Sequence, residues 1–572
     1  MEMILRILFV SFFSIILSLS GISQSAIYSS ESVHHPIIAK NGMVASQHKL
    51  ATQVGLDILK KGGNAIDAAV GVGFALAVVL PRAGNLGGGG FMIVHESSTK
   101  KTTAINYREM APKASTRDMY LDKKGNVDSD KFNKSYHSVG VPGSVAGLIQ
   151  ALNDYGSMSL EDILQPSIEL AENGFPVTHD LAHLLIKYES RLRPCQETEK
   201  IFYKDDGYYQ AGEILKQKDL AWSLGQIAEK GVDAFYNGDL GKRMIKGIQK
   251  NGGIMTVEDL NNYKTSTSEP VWGDYRGYKI ASMPPPSSGG VHIIQMLNIL
   301  ESFPLSFLGH NSAETIHLMT ESMRLAYADR SEHLGDPAYW PVPVEGLISK
   351  KYASSLASQI NRYNATDSDD IKPGSPGNYE SEETTHFSVV DKEGNVVTNT
   401  YTLNFSFGTG LVAKGTGILL NNEMGDFSAK PGEQNAYGLI GGEANAVEAG
   451  KRPLSSMTPT LVFKEGKPFL VTGSPGGSRI ITTVLQVILN VIDHDMNVAE
   501  ATHAPRVHHQ WYPDVLYYEK GVGHDTRNIL VGKGHTISIR PAMGSTQSII
   551  LNDGLLKGAS DPRRPDAATM GF

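Results

Sequence analysis

One stretch constrains the fold of this chain more than any other: Thr384-Thr385-His386-Phe387-Ser388-Val389-Val390. A loose, acidic, turn-rich run precedes it, from Asp367 to Glu383, with Pro373, Gly374, Pro376 and Gly377. After it, Asp391-Lys392-Glu393-Gly394-Asn395 leads into Val396 to Asn404. A three-residue hairpin loop takes glycine at its third position, in the left-handed region, and Lys392-Glu393-Gly394 meets that requirement. With Asp391 and Asn395 as the closing pair, residue 390 faces 396, 388 faces 398, 386 faces 400 and 384 faces 402. Thr402 then lies across from Thr384, with β-carbons about 5 Å apart. Asn404 shares the face of Thr402.

A threonine at a strand start opposite a polar face admits a specific chemistry. Within the chain Thr384 has no base. If the Glu383–Thr384 bond is cut, the freed α-amine, which titrates near ~7.7–8.0, becomes a general base on the nucleophile's own residue. The plainer reading is that Thr384 simply begins a β-rich hairpin, where threonine is common.

The chain of 572 residues is long enough for a large core, and its net charge of −8 offers no basic field for nucleic acid or anionic membrane. Residues 1–26 read as a secretory signal peptide: Arg6, the apolar run Ile7 to Leu19, then small residues up to Ala26. Cys195 is the one cysteine and forms no internal bridge, and no metal-ligand spacing surrounds it. Ser46 to Lys61 has helical spacing, ended by Gly62-Gly63-Asn64, and Ala65 to Leu80 is a nearly all-apolar second helix. Gly84-Asn85-Leu86-Gly87-Gly88-Gly89-Gly90 opens a strand from Phe91 to His95. No Gly-Lys-Ser/Thr follows, so the glycines point to close backbone approach and not to a phosphate loop. Thr103 to Arg108 alternates like another strand. Arg108 is either a solvated arginine or a clamp for a carboxylate. Residues 140 to about 360 are mainly helical by pattern, with Leu160 to Asn173, Asp219 to Lys230 and Ala313 to Arg330 as clear cases, and Arg479 to Val491 forms a further core element. The adjacent pairs His34-His35 and His508-His509 are expected at the surface.

The motif T-T-H-F-S-V-V-D is followed by Tyr401-Thr402-Leu403-Asn404, Asn421-Asn422-Glu423-Met424, Pro453-Leu454-Ser455-Ser456-Met457 and Ser474-Pro475-Gly476-Gly477-Ser478-Arg479. In this order the motifs resemble the γ-glutamyltranspeptidases, or glutathione hydrolases, from about residue 38 to the C-terminus. The resemblance implies an α+β fold, the four-layer αββα sandwich of the N-terminal-nucleophile hydrolases. It also implies self-cleavage between Glu383 and Thr384 into associated chains, 27–383 and 384–572. By the same resemblance Arg108, Ser455 and Ser456 hold a substrate α-carboxylate, and Asn404, Glu423 and Asp426 hold its ammonium group. Thr384 is the nucleophile oriented by Thr402, Gly476 and Gly477 form the oxyanion nest, and Tyr437 is the latch of a lid over Lys430 to Leu439. Gly425 departs from the family pattern, which carries an acid there. Glutathione and related γ-glutamyl compounds are the implied donors, with water, amino acids or dipeptides as acceptors. No metal or cofactor is implied, and the destination is the periplasm or the medium. Two alternatives stay open: a related amide acylase of the same fold, and an inert γ-glutamyl-binding protein.

Overall fold

The hairpin at Thr384 lies at the centre of a seven-stranded sheet in the computed structural model, which describes residues 32–205, 207–373, 384–432 and 442–572. The expected signal peptide, Glu383 on one side of the expected cut, and Tyr437 lie outside the described residues. Strand Thr385–Asp391 pairs with Val396–Thr402, with His386 opposite Thr400, Ser388 opposite Thr398 and Val390 opposite Val396, the register counted from the loop. Gly394 has φ 84°, as its loop position requires, and the Asp391 N–H donates to Asn395 O at 3.2 Å to close the turn.

The strands of this sheet run in the order Ala568–Gly571, Gly42–Ser46, Thr385–Asp391, Val396–Thr402, Gly89–Glu96, Lys101–Tyr107 and Ser266–Ser268, every neighbour antiparallel. A second seven-stranded antiparallel sheet has the order Ile37–Ala39, Leu555–Ser560, Gln547–Asn552, Lys467–Thr472, Thr460–Lys464, Tyr278–Ser282 and Val271–Tyr275. Each sheet draws strands from both sides of residue 384.

The two-residue period of a strand assigns the layers. Phe387, Val389, Val397 and Tyr401 pack against helices Lys49–Lys60, Ala65–Val79 and Ser144–Tyr155 in one core. Helix Ala65–Val79 is buried all round because it lies between that sheet face and further helices, and Tyr401 donates its hydroxyl to Gly73 O at 2.8 Å. Residues of the opposite parity turn toward the second sheet. Val390 and Val396 join a core with Leu461, Val471 and Ile549 and with helices Gly289–Leu300 and Arg479–Ile492. Between the sheets Ser388 Oγ donates to Gln547 O at 2.8 Å and Thr398 Oγ1 to Thr472 O at 3.3 Å. The layers are therefore helix, sheet, sheet, helix.

The glycine run does what close approach demands. A β-carbon on Gly88 would come within 1.9 Å of the Thr402 carbonyl oxygen, and one on Gly90 within 2.4 Å of Tyr401 Cβ. Helix Leu160–Asn173 has the bounds read from the sequence, whereas Ser46 ends a strand and the first helix starts at Lys49. The region from 140 to 360 is less uniformly helical than its pattern suggests. Val271–Tyr275 and Tyr278–Ser282 form a hairpin at a sheet edge, turned by Arg276 and Gly277 at φ 46° and 84°. Edge strands bury only part of one face, which blurs their apolar alternation. His34 and His35 are exposed as expected, but His508 and His509 are buried. His508 is on the short strand Val507–His508, next to helix Arg479–Ile492, and hydrogen bonds to Thr482 and Gln510 replace its solvent.

Candidate active site

Thr384 is 4% exposed and directly precedes its strand, while Thr402, 2% exposed, ends the partner strand. Extending the pairing of Thr385 with Tyr401 by one step sets Thr384 opposite Thr402. The Thr402 end is held from several sides. Asn85 Nδ2 donates to its carbonyl at 2.9 Å, and the Asn404 N–H donates to its Oγ1 at 2.8 Å. Asn404 adopts φ 74°, which turns the chain, and its Nδ2 donates to Asn422 O at 3.0 Å. That bond brings the acidic segment Glu423–Asp426 to the end of the hairpin.

Arg108 follows strand Lys101–Tyr107 and is fully buried. One terminal nitrogen donates to Glu423 Oε1 and the other to Asp426 Oδ2. Its Nε donates to Pro453 O at 3.1 Å and Nη2 to Leu454 O at 3.1 Å, so the guanidinium also fixes the segment leading into Ser455 and Ser456. The structure thus gathers Arg108, Glu423 and Asp426 in one buried cluster and ties to it the backbone that leads into the two serines. Among the described residues Ser456 Oγ has no hydrogen-bond partner, and Glu423 Oε2, Asp426 Oδ1 and both Glu109 oxygens meet no donor outside the carboxyl–guanidinium cluster. A buried polar atom left so is costly unless something else meets it.

Three carboxylates surround this one guanidinium, because Glu109 Oε2 lies 3.5 Å from Arg108 Nη1. Burial pushes the Glu109 carboxyl up to about 7 against the pull of Arg108. Burial likewise pushes Glu423 well above the usual carboxylate range, with Arg108 opposing and Glu109 and Asp426 adding to the rise. Burial works against the Arg108 charge, but Glu423, Asp426 and Glu109 outweigh it and hold its pKa above the ordinary value. Both raised carboxyls lean toward their neutral form, and a ligand ammonium placed among them would favour their ionisation, so the cluster suits a ligand bearing both a carboxylate and an ammonium group. Sequence reasoning gave Glu109 no role. Nor did it give one to Asn421, whose Nδ2 donates to Gly87 O at 2.7 Å and Gly140 O at 2.8 Å and whose Oδ1 accepts from the Glu423 N–H at 2.9 Å. At Gly425 a β-carbon would stand 2.7 Å from Asn133 Oδ1 and 3.4 Å from Asn404 Nδ2.

Gly476 and Gly477 connect strand Lys467–Thr472 to helix Arg479–Ile492 with φ of 135° and 62°. The Gly476 carbonyl accepts from the Arg479 N–H at 3.2 Å and the Gly477 carbonyl from Ile480 at 2.9 Å. In a trans peptide the N–H opposes the carbonyl, so the amides of Gly477 and Ser478 turn away from the helix. Successive amides of this kind make an anion nest.

Elsewhere, His317, Glu321 and His535 have the donor types of a metal site. Three of their atoms are engaged with neighbours: His317 Nδ1 and His535 Nε2 share a hydrogen bond at 2.8 Å, and Arg324 Nε donates to Glu321 Oε1 at 3.3 Å.

A family profile described as gamma-glutamyltranspeptidase matches residues 51–571. The glutathione hydrolase proenzyme of Escherichia coli (strain K12) is 56% identical over 544 residues, covering 95% of this chain and 94% of that protein. The glutathione hydrolase proenzyme of Pseudomonas sp. (strain A14) is 45% identical, with 94% and 95% covered. Among solved structures, the cephalosporin acylase from Bacillus halodurans superposes with a TM-score of 0.85 at 30% identity, covering 96% of this chain and 99% of that one. With its helix–sheet–sheet–helix layers and a near full-length match to the family profile, the chain belongs to the γ-glutamyltranspeptidase family.

Proposed function

We propose that the chain is a proenzyme that cuts itself between Glu383 and Thr384 and then acts on glutathione and related γ-glutamyl compounds. The observation that carries this reading is the buried cluster in which Arg108 is bonded to Glu423 and Asp426. An α-amino acid headgroup complements it: the substrate carboxylate takes Arg108 with Ser455 and Ser456, and the ammonium takes the freed carboxylates with Asn404. Charge-assisted bonds on both sides offset the desolvation of the zwitterion.

The γ-carbonyl then meets Thr384. Its hydroxyl attacks, its own α-amine accepts the proton, and Thr402 opposite it orients the residue. The nest at Gly476 and Gly477 stabilises the oxyanion through the amides of Gly477 and Ser478. Collapse expels the leaving amine, protonated by the α-ammonium, and leaves a γ-glutamyl ester on Thr384. Water or an acceptor amine resolves that ester, giving glutamate or a new γ-glutamyl amide. The same hydroxyl attacks the Glu383 carbonyl during maturation. Chains 27–383 and 384–572 remain together because both sheets contain strands of each. Residues 1–26 direct export to the periplasm or medium and are removed.

The amide-acylase reading has the cephalosporin acylase superposition in its favour. The intact ionic pocket and the higher identity to glutathione hydrolases favour the γ-glutamyl reading. The test is intact mass of the purified chains together with glutamate release from glutathione, for the natural protein and Thr384→Ala. Two fragments meeting at 383/384 and glutamate release, both absent from the variant, are expected. A processed, active Thr384→Ala protein would overturn the mechanism.

A further inference from the structure

Ser478, the residue after the glycine nest, is held from beneath at two points. Tyr327 of helix Ala313–His333 donates its hydroxyl to the Ser478 carbonyl. The Ser478 hydroxyl donates to Gln510 Oε1 at 2.7 Å. The same amide oxygen lies 2.9 Å from His508 Nε2, and Gln510 Nε2 donates to Tyr512 O at 3.1 Å. The amide orientation is therefore set, and an amide oxygen only accepts, so His508 carries its hydrogen on Nε2. Its bare Nδ1 lies 2.9 Å from Thr482 Oγ1, on the first turn of the helix that the nest opens. Ser478, His508 and Gln510 are buried, and burial pushes the His508 imidazole down to about 3, so it stays neutral and keeps this pattern through the working pH range.

We propose that Gln510, oriented by His508 and assisted by Tyr327, is a positioning residue that fixes the tilt of the peptides at Gly476–Gly477–Ser478 and so aims the nest amides at the reacting carbonyl. The inference rests on the reading of the Gly476–Gly477 turn as the oxyanion nest. Its physical basis is that glycine pairs at positive φ are soft: nothing in their own side chains resists a peptide flip. Rigidity has to come from the adjoining chain, and Ser478 is the first residue after the pair with a side chain to hold. A preorganised donor pair acts only while it stays aimed, and the loss appears in the transition state more than in ground-state binding.

The test compares natural protein, Gln510→Met, Gln510→Glu and Tyr327→Phe for self-cleavage by intact mass, for kcat and KM on glutathione, and for inhibition by a γ-glutamyl-like boronic acid whose tetrahedral adduct mimics the oxyanion. Gln510→Met keeps the volume and removes the acceptor. We expect its kcat to fall about 10- to 100-fold, with KM within about two-fold and boronate affinity falling in step with kcat. Gln510→Glu keeps an acceptor for both donors and is expected to recover part of the loss. Tyr327→Phe should show the same kcat-weighted pattern. Unchanged kcat in Gln510→Met, or equal losses in Gln510→Met and Gln510→Glu, would overturn the proposal. If instead the natural protein releases no glutamate from glutathione, the functional reading itself has failed, an outcome separate from inactivity confined to the variants.

Discussion

Arg108→Lys tests the ionic pocket most directly. Arg108 makes four hydrogen bonds in two directions, to Glu423 and Asp426 and to the carbonyls of Pro453 and Leu454. A lysine ammonium is a point charge with three donors and cannot span both sets while offering two parallel bonds to a carboxylate. On the proposed reading the variant forfeits at least one charge-assisted bond to the substrate carboxylate, worth about 1.5–3 kcal/mol. At 1.36 kcal/mol per decade this is roughly a 10- to 150-fold loss in kcat/KM. Because the headgroup lies away from the reacting carbonyl, the loss should appear mainly as a higher KM. Initial rates of glutamate release across a glutathione series, on protein whose chain masses show normal cleavage, give both constants. Arg108→Met supplies the control for charge: it leaves three buried carboxylates facing one another and should cost about 3–5 kcal/mol of stability, as loss of one partner from a buried pair does. A kcat/KM for Arg108→Lys within about three-fold of the natural protein, or a loss confined to kcat, would refute the clamp assignment.

Three further outcomes are expected. Gly88→Ala sets a β-carbon 1.9 Å from the backbone carbonyl of Thr402, an overlap that no rotamer relieves. It should lower stability by about 1–3 kcal/mol or more in thermal melts and slow self-cleavage by displacing the strand facing Thr384; a melt and cleavage rate like the natural protein's would contradict that. Burial pushes the Glu109 carboxyl up to about 7, and a substrate ammonium beside it favours its ionised form. Binding then weakens and KM rises as pH falls through about 7, and Glu109→Gln should flatten this dependence; a KM flat across that range in the natural protein would count against it. Burial holds His386, His508 and His535 near 3 against an ordinary value of 6.5, so the unfolded chain binds more protons between these limits. Stability should drop as pH falls from 6.5 toward 3, read as a falling melting temperature, and a flat profile would show that these imidazoles are not held neutral.

Much of the centre of the molecule was legible because its causes are local. The hairpin register followed from Gly394 and the two-residue strand period. Helix Leu160–Asn173 followed from apolar spacing, as did Lys218–Lys230, which starts one residue before the Asp219 read from the sequence. The resemblance put Thr384, Arg108, Glu423, Asp426 and the serines around one substrate, but the direct pairing of Arg108 with Glu423 and Asp426 was not legible. Arg108 and Glu423 are 315 positions apart, and a solvated arginine reads the same way in a sequence as a buried one. Glu109 and Asn421 passed without a role for that reason, and so did Gln510.

The sequence by itself determined the hairpin at Thr384, the glycine run that passes beside it and the order of motifs that marks the family, because each depends on backbone preference or on residues close along the chain. Only the tertiary structure decided which charges lose their water. It buried Arg108 among three carboxylates, placed His508 beneath the glycine nest instead of at the surface, and closed the second sheet with the edge hairpin Val271–Ser282. Burial is set by everything packed around a residue, and electrostatic free energy follows the distances and solvation that packing creates; neither can be read from the identity of one side chain and its immediate neighbours.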